Sequence, residues 1–370
     1  MLRRAGFGLL IGAALLAPTA AAAGPALVFE PYNGTVFYAE DPDALWFPAS
    51  LTKLMTAYVA FKAIKAGEVT AETKVVCSKK ASLQAPTKLG LPVGGELDLE
   101  TALKVIIVKS ANDVSVMIAE TVGGSEEGFI ARMNQEARRL GMTRTKFANP
   151  NGLPDERQVT TARDLAKLTQ AVLRDYPNYA SMWSMVEMRM GKRRLRSHNA
   201  LLANYDGADG IKTGFICDSG FNIVASATRD GRRLVAVVLG EVTGRERSTR
   251  AANLLEYGFH THGWKSIFGM ESVNTMPVAA DAKGVVSIRH AVISWACGTG
   301  RRRVLARSKR KREKAVAAAK AKAAPQKQDK GPAAAKVKAG AEGPAKQDKG
   351  SAAAKTKAKP QSEKTSATAK

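Results

Sequence analysis

PASLTKLMTAYVAFKAIKAG, Pro48 to Gly67, is the stretch that decides how this chain is read. Leu51, Leu54, Met55, Tyr58 and Phe61 recur at three- and four-residue spacing, which predicts a helix starting at Ser50 and ended by Gly67. Ser50 and Lys53 stand three apart at its start, so both side chains share one face and the amine reaches the hydroxyl. A serine hydroxyl is a weak nucleophile and needs such a base. The helix N-terminus offers free N–H groups, and its positive end favours a developing oxyanion and a neutral Lys53. The spacing alone is not selective. Ser50 also suits a helix N-cap and Lys53 a solvated charge, and SxxK recurs at Ser308 and Lys311 within a basic run.

On the N-terminal side, ALVFEPYNGTVFYAE (Ala26 to Glu40) holds two β-prone runs joined through Asn33-Gly34, a strong hairpin signal. On the C-terminal side, helical segments are expected around Leu99–Val122, Glu126–Leu140 and Thr161–Arg174. The last opens on Thr161 with Asp164 three residues on, close to a capping box. Strands return at Phe221–Thr228 and Arg233–Leu239, flanking a second hairpin turn at Arg229-Asp230-Gly231. A short helix near Ala251–Leu255 closes the domain. Strands at both ends of a helical middle predict an α/β chain of the α+β kind: a mostly antiparallel sheet flanked by helices, with a helical subdomain. Residues 266–300 have some β character but are too few to bury much of a core alone.

Two more motifs carry chemistry. Lys212, Thr213 and Gly214 follow GADGI and precede the second hairpin, so they are expected on a strand facing the helix of Ser50. A cation, a hydroxyl and a Gly that admits the substrate backbone suit the binding of a carboxylate; a polar edge strand is the plain alternative. Ser110, Ala111 and Asn112 interrupt an apolar helical run, where a hydroxyl and an amide need a reason. A simple helix break is the plain alternative, and SxN also occurs at Ser197–Asn199 and Ser272–Asn274.

Residues 1–23 read as an export signal: Arg3 and Arg4, an apolar stretch Ala5 to Ala17, then Ala21 to Ala23 for cleavage. The formal charge of +24 belongs mostly to residues 301–370, whose 22 Lys/Arg and 5 Asp/Glu leave +7 for the rest. That Lys/Ala/Pro/Gly-rich run repeats KQDKGPAAAKVKA (from Lys327) as KQDKGSAAAKTKA (from Lys346) and is expected to be disordered. Cys77, Cys217 and Cys297 are too few for a disulfide framework; one pair can form in an oxidising compartment, and sequence does not choose which. None has metal-ligand spacing. His260 and His262, beside Trp264, read as ordinary strand or loop residues, so no metal and no cofactor is expected.

SxxK, then SxN, then KTG, in that order, resembles the penicillin-recognising serine enzymes. PASLTKLMTAYV, SANDV, FANPNGLPD, TTARDLAKL and DGADGIKTGFICDSGFNIVASA resemble the low-molecular-mass D-alanyl-D-alanine carboxypeptidases, serine peptidase family S11, over roughly Ala26 to Phe259. The resemblance implies a penicillin-binding, β-lactamase-like transpeptidase fold with a catalytic domain over 24–265. It implies Ser50 as acylated nucleophile, Lys53 as general base, and Ser110 and Asn112 as proton relay and amide holder. Lys212 and Thr213 would bind the terminal carboxylate, Gly214 would let the substrate backbone approach, and the N–H groups of Ser50 and Phe215 would form the oxyanion hole. Arg247 falls where the family often carries a further carboxylate-binding Arg; an exposed Arg preceding a helix is the alternative. The chain departs from the family in lacking the length for a second β-rich domain, in a tail without apolar periodicity, and in Phe215 followed by a free-looking Cys217.

The implied substrate is the peptidoglycan stem peptide, with β-lactams as covalent inhibitors and the periplasm or cell envelope as location. A D,D-endopeptidase uses the same machinery. A β-lactamase is disfavoured because no ExxLN-type segment supplies a deacylating Glu. A non-catalytic envelope-binding protein is the reading from a different class. The basic tail suits anionic envelope polymer or lipid, and export removes nucleic acid from reach.

Overall fold

The structure, a computed structural model, describes residues 24–265, 271–292 and Cys297. The expected export signal and the basic tail lie outside the described residues. Strands β1 (Ala26–Phe29) and β2 (Val36–Glu40) form the expected N-terminal hairpin. Its loop is longer than a two-residue turn: Asn33 accepts from the Thr35 N–H at 2.9 Å, and Gly34 takes φ 79°.

Ala49–Thr52 make one 3-10 turn before α1 (Lys53–Lys65), so the α-helix proper begins three residues after Ser50. Instead of presenting one apolar face, α1 is buried nearly all round, and Gly67 follows it at φ 74°. Next come β3 (Lys74–Val76), α2 (Lys79–Ser82), β4 (Glu96–Asp98), α3 (Leu99–Val108), α4 (Asn112–Gly123) and α5 (Glu126–Arg139). These build the helical subdomain against α1. The expected helix over Leu99–Val122 is two helices, because Ser110 adopts φ 59° and breaks the run. Helix α6 (Ala162–Asp175) starts as its sequence predicts: Thr161 Oγ accepts from the Asp164 N–H at 3.0 Å.

After α7 (Ala180–Trp183) a small hairpin, β5 (Glu187–Met190) and β6 (Arg193–Arg196), stands apart from the main sheet. Helix α8 (Leu201–Asn204) leads to β7 (Ala208–Ile216), β8 (Gly220–Arg229) and β9 (Arg232–Glu241). The main sheet runs β2-β1-β9-β8-β7, antiparallel throughout. The β8–β9 turn is Asp230-Gly231, both at positive φ (49° and 73°), the geometry an Asp-Gly hairpin favours. Alternate residues separate the two cores. Leu27, Phe29, Val235 and Val237 join the cluster with α1 and α6, while Val28, Ala236 and Val238 pack with Ala251 and Leu255. Strands covered on both faces read as continuous apolar runs.

Ala251 and Leu255 lie on α9 (Gly244–Lys265), which has 22 residues rather than the short helix expected. Its opening, GRERSTR, is too polar to show apolar periodicity, which hid its extent. His260 and His262 therefore sit on a helix, not on a strand or loop. A Cβ on Gly258 would come within 2.9 Å of Leu234 and 3.0 Å of Val28, so Gly there lets the helix lie close on the sheet.

Residues 271–292 wrap the domain instead of forming a unit. Val273 is fully buried and donates to the Gly34 carbonyl at 2.9 Å. The buried Arg163–Asp43 ion pair holds the Pro277 carbonyl at 2.8 Å, and α10 (Arg289–Val292) opens on Arg289, paired with Asp218 at 2.6 Å. Cys217 and Cys297 form a disulfide, so the free-looking Cys217 is not free; Cys77 is the buried free thiol. No helix among the described residues is long and apolar enough to cross a membrane.

Candidate active site

Ser50 sits on the 3-10 turn without capping it, since neither this turn nor α1 has a side-chain cap. Lys53 is 1% exposed, so it is no solvated charge. Its Nζ reaches Ser50 Oγ at 3.2 Å and Asn112 Oδ1 at 2.8 Å, and also donates to the Asn151 carbonyl. Three chain segments distant in sequence thus converge on one amine.

The turn is clasped from several sides. Asn222 Nδ2 donates to the Phe47 carbonyl at 3.0 Å, while its Oδ1 accepts from the Gly240 N–H at 3.0 Å, tying the turn to β8 and β9. Gly214 on β7 faces it so closely that a Cβ would stand 2.9 Å from the Pro48 carbonyl and 3.2 Å from the Ser50 nitrogen. Gly152, at φ 84°, leaves no room at all: a Cβ would be 1.9 Å from the Ala49 carbonyl.

On the opposite wall, β7 is the edge strand of the sheet, yet Lys212 and Thr213 are only 2% and 6% exposed. Lys212 Nζ donates to Ser110 Oγ at 2.9 Å and to the Thr213 carbonyl at 3.0 Å. Ser110 is both a helix break and a site residue: its left-handed backbone turns it toward Lys212 while Asn112 faces Lys53. Arg247, on α9, is buried and donates to the His198 carbonyl at 3.3 Å. It is neither exposed nor ahead of its helix. Its Nε has no hydrogen-bond partner.

These walls enclose a cleft of about 530 Å³ lined by Ser50, Ser110, Asn112, Thr213, Gly214, Phe215 and Arg247. A roomier hollow of about 780 Å³ beside Tyr32 and Arg233 contains none of them. All nine residues singled out from the sequence therefore meet at this cleft, Lys53 and Lys212 through their hydrogen bonds to Ser50 and Ser110.

The electrostatics follow from burial. Desolvation, then the charge of Lys212, pushes the Lys53 amine well below its ordinary value, against the pull of Asp113. Desolvation rather than the helix end is thus the chief cause of that lowering. Lys212 is lowered to about 7 by burial and by Arg247, and Arg247 to about 10 by burial. Asp113 does not neutralise them; its carboxylate accepts from the Leu89 and Gly90 N–H groups at 2.9 and 2.7 Å. Under-compensated cations beside a cleft suit the binding of an anion. Among the described residues no three His, Cys, Asp or Glu side chains gather to hold a metal ion.

The sequence did not single out Asn151 or His198. Asn151 acts through its backbone carbonyl, which no side-chain motif announces, though the turn residues around it (Asn149 Oδ1 accepts from the Gly152 N–H at 2.7 Å) gave a signal. His198 lines the cleft from within the rival SxN string, whose Asn199 donates to the Gly210 carbonyl at 3.0 Å beside KTG. Crowding in the wall, then Lys212, Lys109 and Arg247, pushes its imidazole down, a push that solvent at its exposed edge screens.

The chain is similar to known proteins in sequence and in fold. The sequence profile of Peptidase S11, described as D-alanyl-D-alanine carboxypeptidase, matches residues 13–243. D-alanyl-D-alanine carboxypeptidase DacC of Escherichia coli is 36% identical over 234 residues, 61% of this chain and 58% of that protein. Penicillin-binding protein 5 of Haemophilus influenzae superposes with a TM-score of 0.62 at 32% identity, over 64% of this chain and 71% of its own. The ampicillin-bound form of penicillin-binding protein D2 from Listeria monocytogenes superposes with a TM-score of 0.59 at 28% identity, over 64% of this chain and 97% of its own. The chain spans about six-tenths of the length of the curated relatives it matches.

Proposed function

This chain belongs to the Peptidase S11 family of D-alanyl-D-alanine carboxypeptidases, and from that premise we propose that it removes the terminal D-alanine from peptidoglycan stem peptides through an acyl-enzyme on Ser50. The observation that carries the proposal is a buried amine, Lys53, 3.2 Å from the Ser50 hydroxyl in a cleft that faces further cations.

Neutral Lys53 takes the proton as Ser50 Oγ attacks the penultimate D-alanine carbonyl. The N–H groups of Ser50 and Phe215 stabilise the oxyanion. Lys212 and Thr213 hold the terminal carboxylate, with Arg247 beside them, and Gly214 keeps the strand close to the nucleophile. Asn112 orients Lys53 and bonds the substrate amide. The proton taken up by Lys53 is relayed through Ser110 to the departing amine, while Lys212, 2.9 Å from Ser110 Oγ, keeps its charge for the carboxylate. D-alanine leaves, and water releases the shortened peptide. A β-lactam, mimicking the same carbonyl and carboxylate, acylates Ser50; the ampicillin-bound relative supports this.

Export to the periplasm or envelope fits the Cys217–Cys297 disulfide, which persists in oxidising compartments. The tail, residues 301–370, is assigned anionic envelope polymer or lipid as partner from its charge. The test is to incubate the full chain and a 1–300 truncation with labelled penicillin and with a D-Ala-D-Ala pentapeptide. The adduct should map to Ser50, be absent in Ser50→Ala, and be accompanied by released D-alanine in both proteins, while only the full chain sediments with anionic polymer. Label on Ser110, or penicillin turnover without D-alanine, would overturn the assignment.

A further inference from the structure

The β5–β6 hairpin carries more charge than its fold needs. Residues 187–196 hold five basic side chains and one acidic, +4 of the +7 that residues 1–300 carry together. The register separates its two faces. Met188, Met190 and Leu195 pack on the core, and Arg193 on that face bridges to the Leu89 carbonyl at 2.9 Å. The outer face pairs Arg189 directly with Arg194, and Glu187 with Arg196. Like charges directly opposite each other destabilise a hairpin. Glu187, the one carboxylate on this face, is shared between Arg194 and Arg196, the latter at 4.0 Å. Arg189 and Lys192, at the tip, are exposed and have no carboxylate partner among the described residues.

This face adjoins the cleft on two sides. Through Leu89 the hairpin leans on the segment whose Pro86 and Thr87 line the cleft, and two residues beyond Arg196 the chain reaches His198 in the cleft wall. A cationic ledge at the rim, maintained against its own repulsion, is placed to attract an anion attached to whatever enters.

We propose that Arg189, Lys192, Arg194 and Arg196 form a docking surface for a carboxylate-bearing strand of the same polymer whose peptide end is cleaved. The inference rests on the carboxypeptidase reading and adds to it a preference for polymeric, carboxylate-rich substrate over short peptide. Charge at a rim acts on encounter and on local concentration more than on the chemical step.

The experiment compares the full chain with a variant carrying Arg189→Gln, Lys192→Gln, Arg194→Gln and Arg196→Gln; both keep the tail, so its contribution cancels. At low salt, kcat/KM on carboxylate-bearing peptidoglycan strands should fall on the order of 10-fold in the variant. Turnover of a short peptide with no carboxylate but its terminal one should be unchanged, and Tm should change little, since the variant removes both the Arg189–Arg194 repulsion and the exposed Glu187 pairs. Amidating the strand's carboxylates, or adding 0.5 M salt (roughly a 4 Å screening length), should erase the difference. Equal rates of the two proteins on the unamidated strand would overturn the proposal, as would a loss seen only with a phosphate-bearing polymer. If the wild-type chain turns over no peptide at all, the carboxypeptidase reading fails, and cosedimentation with the strand, variant against wild type, still decides the docking surface.

Discussion

Two sets of cations face solvent on opposite terms in this molecule. Lys53, Lys212 and Arg247 are nearly inaccessible, and their pKa values are lowered by the desolvation that puts them there. Arg189, Lys192, Arg194 and Arg196 stand exposed on a hairpin a few residues from the same cleft. In the proposed mechanism burial turns a charge into chemistry: it suits one lysine to act as a base and leaves another cation short of compensation, ready for an anion. Exposure leaves the charge whole but screened, useful over distance and weak in contact.

The sharpest way to break this contrast is to remove a buried cation. Lys53→Ala should lower acylation by penicillin about 10²- to 10⁴-fold, the range of a general base, while the melting temperature is kept, because a desolvated amine has been removed. Stopped-flow acylation and thermal melts measure the two; a normal acylation rate sinks the base assignment.

A smaller effect separates the two buried lysines by pH. In the proposed mechanism the cationic form of Lys212 binds the carboxylate, so with its amine at about 7, kcat/KM should fall up to tenfold per pH unit above that value. Lys212→Arg should remove this falling limb, and a limb that persists in the variant belongs to another group. Stability runs the other way. The folded-state value lies below the unfolded one (about 10.4), so the folded chain binds fewer protons between 7 and that value and gains stability as pH rises through the window.

At the small end is an exposed pair on the helical subdomain, Arg132–Glu68, with side chains 41% and 47% exposed. Arg132→Ala should change stability by less than about 1 kcal/mol in a denaturant melt. A larger loss would mean that exposure does not predict how much a cation here contributes.

Much of the site was legible because its signals are short. Ser50–Lys53 and Lys212–Gly214 are local strings, and an i, i+3 pair at a helix start fixes side-chain proximity without tertiary knowledge. The hairpins were legible for the same reason, through Asn33-Gly34 and Asp230-Gly231. Where tertiary contact decides, the sequence was silent. Helix α9 hides behind GRERSTR, and Arg247 stayed open between a carboxylate binder and an exposed Arg, because its contacts with His198 and Phe221 come from other elements. The wrap of 271–292 rests on backbone bonds such as Val273 to Gly34, to which side-chain patterns are indifferent. Cys217 showed no partner because the choice between Cys77 and Cys297 is made by the fold that brings the latter's Cα within 5.6 Å.

That disulfide makes part of the chain a covalent ring. Its closing residues are 80 apart, and β8, β9, α9 and the wrap of 271–292 all lie on the circumference. A single protease cut anywhere on the ring yields two polypeptides but one molecule: the fragments separate on a gel only after a thiol reductant has opened the sulfur bridge. The nicked protein thus records whether its surroundings were oxidising when it folded, and one end of the bridge, Cys217, lies in the wall of the cleft itself.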